Sequence, residues 1–344
     1  MRAWVLLLVA GAGCARTPPG EAGDAGVGVG ANANANANAG VGVGVGVNAG
    51  VGGEAARVRV IDPGKEPREK LRYAWRVGQR ERLVMELRTA AATESGGTTT
   101  PEIALPPVRI GVAIDPASVS PEGDLTYAWR VLSTQVTADT GDAGLPSPMA
   151  DGMRDEVAAV EHLAGTATVN ALGLTTSLAV NAASMPEAGA GGSGQMIEQV
   201  RQTLRDLAPP FPDEPVGRGA RWEKLSQLSS RDARLTQTDT FTLLELGKTG
   251  GKIDDVLAQT APSQPLPTPG MPNAQARMDS MLASGDGKTA FDRSRLVPQT
   301  HFEGTTTMVV SSSAPQGGPE RRTMILRVGI TLTGSVAGDA GGKP

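Results

Sequence analysis

The chain has a single cysteine, Cys14, and only two histidines, His162 and His301, among its 344 residues. One cysteine excludes an internal disulfide and every cysteine-based metal cluster. Neither histidine has a partner at ligand spacing such as i, i+4, so no metal and no cofactor is expected. Aromatic residues are scarce, with 2 Tyr, 4 Phe and 4 Trp, too few for a base-stacking surface. Neither sign of charge dominates: 32 Lys and Arg stand against 36 Asp and Glu. Nothing favours a phosphate-rich partner, and nucleic-acid binding is set aside.

What is present begins with an address. Arg2 precedes an apolar run over 3–10, and the small residues Gly11, Ala12 and Gly13 follow. That is the three-part plan of a secretory signal, and the run is far short of the ~20 residues of a membrane-spanning helix. Residues 15–56 are low in complexity, with Val-Gly and Ala-Asn repeats. Glycine at this density loses the most entropy on ordering and brings almost no side-chain volume to offset it. This stretch is predicted to be a disordered tether, spanning roughly 35–40 Å as a Gly-rich coil. Repeat expansion without a selected role is the alternative. About 280 residues remain, near the upper limit for one core, and one domain over 57–337 is expected, with a disordered tail at 338–344.

Gly11-Ala12-Gly13-Cys14 resembles the lipobox of bacterial lipoproteins. The resemblance implies that Cys14 is acylated on sulfur and becomes the first mature residue, anchoring the chain to a membrane. Gly11 stands where that family usually has Leu, which leaves ordinary secretory cleavage among the small residues open. Ala15 replaces the Asp that would imply retention at the inner membrane, so the resemblance favours the outer membrane.

The body reads as strands. Leu71, Tyr73, Trp75 and Val77 alternate with polar residues, as do Leu83, Met85 and Leu87, then Val108, Ile110, Val112 and Ile114, and Leu326, Val328, Ile330 and Leu332. A period of two with one dry and one wet face is the antiparallel pattern. Segments 165–180, 235–246 and 300–310 are rich in Thr and Val and also read as extended. Turn signals stand at 121–124, 216–219 and 285–288, and about ten strands are expected. Met153, Val157, Val160 and Leu163 fall at helical spacing, as do Met196, Ile197, Val200, Leu204 and Leu207 before Pro209-Pro210. Residues 274–284 fit helix or strand. The expected fold is mainly β, a large antiparallel sheet, twisted or half-closed like a barrel, with two or three helices.

Leu71-Arg72-Tyr73-Ala74-Trp75-Arg76-Val77 returns as Leu125-Thr126-Tyr127-Ala128-Trp129-Arg130-Val131. A duplicated strand walling one cavity is one reading; two ordinary core strands are the other. The signal, the Tyr-x-Trp strand, the segment 212–222 and Gly285-Asp286-Gly287-Lys288-Thr289-Ala290-Phe291-Asp292 together resemble uncharacterised families of β-rich bacterial lipoproteins. That resemblance implies no activity. Some envelope carriers fold as an unclosed barrel over helices and hold acyl chains, a comparison at the level of fold alone.

Catalytic motifs are missing. Gly247-Lys248-Thr249 and Gly287-Lys288-Thr289 lack the leading glycine of a phosphate loop and read as turns. Gly192-Ser193-Gly194 lacks the outer glycines of a nucleophile elbow. His301-Phe302-Glu303 sets an imidazole and a carboxylate on one strand face, where solvent exposure is expected. Asp155/Glu156, Asp213/Glu214 and Asp254/Asp255 point their members to different faces and read as solvated surface. No catalytic residue is assigned, and an enzyme is not expected. The leading expectation is a non-catalytic envelope lipoprotein, anchored through Cys14, that binds a lipid or other apolar molecule. It requires an apolar cavity of roughly 300 Å³ or more. A structural or assembly lipoprotein that binds another envelope protein is the second reading, with a packed interior and an exposed apolar patch. A hydrolase with an unrecognised site is the third.

Overall fold

The computed structural model describes residues 57–137, 147–184, 193–230, 233–266, 275–313 and 319–336. The signal segment with Cys14, the tether at 15–56 and the tail at 338–344 lie outside the described residues. Among the described residues there are fourteen strands and two α-helices. The strands are β1 (Arg57–Asp62), β2 (Glu81–Ser95), β3 (Thr98–Thr99), β4 (Ile103–Val119), β5 (Leu125–Val136), β6 (Ala164–Val169) and β7 (Thr175–Val180). They continue as β8 (Arg221–Ser230), β9 (Ala233–Leu246), β10 (Gly250–Ala261), β11 (Gln264–Leu266), β12 (Gln275–Asp292), β13 (Gln299–Ser313) and β14 (Pro319–Val336). The helices are α1 (Ser147–Ala158) and α2 (Ser193–Arg205).

All the strands belong to one antiparallel sheet, ordered β1-β8-β9-β10-β12-β13-β14-β2-β4-β5-β6-β7, with β11 beside β12 and β3 beside β2. The sheet does not close, because β1 and β7 end the order without pairing to each other. It nevertheless curls. β8 is second in that order and β5 tenth, so eight steps separate them, about 38 Å in a flat sheet. Yet Leu204 of α2 accepts a bond from Tyr127 of β5 at 3.5 Å, while Asp206 takes one from Lys224 of β8 at 2.6 Å. Two positions along one short segment touch both, so the sheet wraps α2 in a half-closed barrel.

The inner face holds the main core, in which Leu83, Met85, Ile110, Ile114, Tyr127 and Trp129 meet Val157, Val160, Val200 and Leu204 of the helical segments. α2 falls where the apolar spacing predicts it, apart from Leu207, whereas α1 starts earlier than its spacing and ends at Ala158, so that Val160 and Leu163 pack from the turn after it. Two long connections also cross the inside. The segment from β1 to β2 and the segment from α2 to β8 bond to each other, Glu69 N to Val216 O at 3.0 Å and Val216 N to Glu69 O at 2.9 Å.

Here the sequence reading needs correcting. Residues 71–76 alternate as expected, with Leu71, Tyr73 and Trp75 buried, but they are not a strand of the sheet. Tyr73 N bonds Ala171 O in the β6–β7 turn, and Ala74 N bonds Arg293 O after β12. The first copy of the Tyr-x-Trp motif therefore bridges distant parts of the barrel, and only the second copy, in β5, is a sheet strand. The turn expected at 285–288 is also wrong: those residues continue β12 in unbroken register with β13. Their glycines serve close packing instead. A Cβ on Gly285 would lie 2.3 Å from Phe302 Cζ, and one on Gly287 would lie 3.0 Å from Phe302 Cδ2. Gly287-Lys288-Thr289 is thus strand, whereas Gly247-Lys248-Thr249 does stand in the turn between β9 and β10. The ambiguous stretch 274–284 falls in β12 from Gln275 onward. Segment 165–180 is a hairpin, β6 and β7, whose turn forms around Asn170.

Candidate functional site

Four aromatic rings seal one end of the barrel. Tyr73 stacks on Trp75 with centroids 4.2 Å apart and on Phe211 at 4.7 Å, and Phe211 meets Phe291 edge-on at 5.1 Å. Tyr73 Oη donates to Pro209 O at 3.0 Å, and Trp222 Nε1 donates to Pro210 O at 2.8 Å. Pro209-Pro210 thus end the helical segment and present two carbonyls to buried donors. Burial without a charged partner pushes both Tyr73 and Tyr127 above the ordinary phenol range.

Beside this seal the inner face turns polar, at alternate positions of β8, β9 and β10 that would ordinarily carry aliphatic side chains. Lys224, Gln237, Asp239, Asp255 and Gln259 are all buried there. Lys224 Nζ donates to Asp206 Oδ1 at 2.6 Å, and Gln202 of α2 donates to Asp206 Oδ2 at 2.6 Å. On the sheet, Gln259 donates to Gln237 at 2.6 Å and Gln237 donates to Asp239 at 2.8 Å. Asp239 is the register partner of Lys224. Thr289 and Thr300 pair through their hydroxyls at 3.1 Å. The result is a polar belt that fastens the end of α2 to the sheet. Its Lys–Asp pair is almost fully buried, with side chains only 10% and 8% exposed.

A cavity lined by Asp206, Pro209, Lys224, Asp239, Asp255 and Thr289 has a volume of about 20 Å³. That is room for a water molecule, not for an acyl chain. α2, the aromatic stack and the belt lie around this cavity. The belt brings together buried ammonium, carboxylate, amide and threonine hydroxyl groups, and its Lys224–Asp206 bond attaches the end of α2 to the sheet.

The residues weighed in the sequence lie elsewhere. His301 is exposed on β13, 3.2 Å from Thr331 Oγ1 and 3.4 Å from Glu303, on the outer face as expected. His162 is exposed in a left-handed turn with φ of 72°. Asp213 and Glu214 are exposed, and Asp155 and Glu156 lie on α1, with burial raising the Glu156 carboxyl. Asp254/Asp255 departs from expectation: Asp254 faces outward, but Asp255 is buried in the belt. Among the described residues, no group of three or more His, Cys, Asp or Glu is arranged to hold a metal. Lys224, Asp206 and Gln237 were missed because single polar residues in strands read as solvent-facing. The available signal was phase. Gln237 and Asp239 share the parity of Leu235, Phe241 and Leu243, as Asp255 and Gln259 share that of Ile253 and Leu257.

The outer face is mostly charged and polar, with one exception. The register aligns Leu225, Thr238, Ala258, Ser284 and Thr305 in one row, and Gln227, Thr236, Thr260, Leu282 and Thr307 in the next. Across β8, β9, β10, β12 and β13 neither row contains a charge, and the first is bounded by Arg57 of β1 and Arg327 of β14. Leu225 and Leu282 are 48% and 60% exposed, whereas Val256, 56% exposed, lies in the adjoining row with Glu223, Asp286 and Glu303.

No family model and no curated protein matches this chain. Among solved structures it is similar to an outer membrane channel from Pseudomonas putida F1, with 9% sequence identity, covering 76% of this chain and 97% of that chain. The TM-score of 0.18 is too low for that likeness to carry an argument about fold or function. No described helix is long and apolar enough to cross a membrane.

Proposed function

We propose that this chain is a non-catalytic lipoprotein of the bacterial cell envelope, anchored through Cys14, that holds another envelope protein against the outer face of its sheet. The observation that carries this reading is the packing of α2 into the curl of the sheet. The α2 helix, its Lys224–Asp206 attachment and the aromatic stack occupy the inside of the barrel, where a lipid would have to lie. The outer rows support it as well. Five strands spaced ~4.8 Å apart carry two neighbouring rows of aliphatic, alanine, hydroxyl and amide side chains without charge. A band of that kind suits a partner whose contact surface is flat, uncharged and partly apolar, because any charge laid on it would lose water without gaining a counter-ion. The signal segment and the residues around Cys14 support export and anchoring, with Ala15 favouring the outer membrane.

Photocrosslinking in intact envelopes tests the reading. A photoreactive residue at Leu282 or Leu225 is expected to give one discrete protein adduct, and the same group at Arg88, in the charged part of the outer face, is expected to give none. Equal labelling at all three positions, or adducts to lipid alone, would contradict it. Cys14→Ser tests the anchor separately, and is expected to abolish acyl labelling and leave the precursor unprocessed.

A further inference from the structure

Four of the eleven methionines gather at the end of the barrel opposite the Tyr73 stack, in an apolar cluster separate from the main core. Met281 on β12 is the register partner of Met308 on β13, and Met308 is the partner of Met324 on β14. Directly opposed residues of one face have Cβ atoms roughly 4.5–5.5 Å apart, so three thioethers stand in one row across adjacent strands. Met278 adds a fourth through an irregularity. Three positions from Met281, it would face outward in a regular strand. A bulge between Met278 and Ser280 turns it inward, and Met278 and Met281 are 0% and 3% exposed. Bulges that re-aim a side chain are enriched next to functional sites.

The surrounding side chains are Leu228, Leu235, Ala261, Leu266, Ala283 and Val310. These apolar neighbours carry no charge, and the next inward row holds Gln259, Ala283 and Thr306. Leu, Ile or Val would fill such a space with better-defined rotamers, whereas Met specifies a core poorly. What four methionines add is soft, polarisable sulfur in a dry pocket. Hard cations such as Ca²⁺ and Mg²⁺ need oxygen ligands, and zinc sites use thiolate, imidazole or carboxylate. Neutral thioethers select Cu(I).

We infer that Met278, Met281, Met308 and Met324 form a Cu(I)-binding site. This site is independent of the outer-face contact proposed above, and either stands if the other fails. The test titrates the full chain carrying Cys14→Ser, which removes the only thiol, with Cu(I) alone against a chromophoric Cu(I) chelator under anaerobic conditions. One Cu(I) per chain is expected, with an all-sulfur first shell by X-ray absorption. Met281→Leu/Met308→Leu conserves volume and, with an unchanged circular dichroism spectrum and cooperative unfolding, is expected to lose the ion. Met85→Leu, in the main core, is expected to retain it. Absence of binding in the parent chain, or unchanged binding in the double variant, would overturn the assignment. Should the double variant not fold, Met324→Leu at the half-buried end of the row is read in its place. A drop of about tenfold or more in affinity is expected there, and an unchanged affinity overturns the site.

Discussion

Two buried acidic side chains show how much a residue's neighbours decide. Lys224 and Asp206 are a buried pair 2.6 Å apart, with Gln202 bound to the second carboxylate oxygen. Removing one member leaves the other charge buried without its counter-ion. Lys224→Met is therefore expected to cost about 3–5 kcal/mol in chemical unfolding, and Lys224→Met with Asp206→Leu to cost clearly less. A double variant as unstable as the single one would show that the pair is not the attachment. Glu81 presents the opposite balance. Its two oxygens each accept a backbone N–H at 2.9 Å, from Leu296 and Val297, which favours the ionised form. Burial outweighs them and raises the carboxyl above its ordinary range. A raised carboxyl means that folding disfavours the charge, so the Glu81 contribution is greatest below the unfolded value, ~4.3, and declines as pH rises through the folded value. Glu81→Gln removes that decline. The stability difference between parent and variant is expected to shrink with rising pH over this window, and a difference independent of pH would contradict the account.

At the scale of the element, β12 shows where the sequence misleads. Gly285-Asp286-Gly287-Lys288 has the composition of a turn, yet it lies mid-strand because Phe302 of β13 covers both glycines. A local pattern cannot reveal that, since the ring comes from the neighbouring strand. Gly287→Ala would place a Cβ 2.5 Å from Asp255 Oδ1 and 3.0 Å from Phe302. It is expected to destabilise by about 1–3 kcal/mol, and by less in a Phe302→Leu background. Equal cost in both backgrounds would contradict the packing argument. Periodicity served better for β4, β5 and β14, where inward residues are apolar, for β2, whose inward Leu83, Met85 and Leu87 stand between buried Glu81 and Thr89, and for α2. It failed for residues 71–76, whose alternation is real but whose partners are the β6–β7 turn and the end of β12 rather than a strand. The belt was hidden for a related reason. Its carboxylates and amides are paired across strands and with α2, and pairing is what lets a polar side chain occupy an inward position.

For the whole molecule, what matters is what occupies the inside of an unclosed sheet. Composition and period two gave the class of fold, a twisted antiparallel sheet with two helices. They did not show that β8 and β5, eight steps apart in the order, both reach the end of α2. That contact curls an open sheet around a helix, and on the proposed function the binding surface is the outside rather than the inside. Native mass spectrometry of the exported Cys14→Ser chain, purified from its compartment, tests this most directly. A bare protein mass on a folded chain is the predicted result. A stoichiometric adduct that denaturation releases as a lipid would contradict it and return the interior to the role of a ligand site.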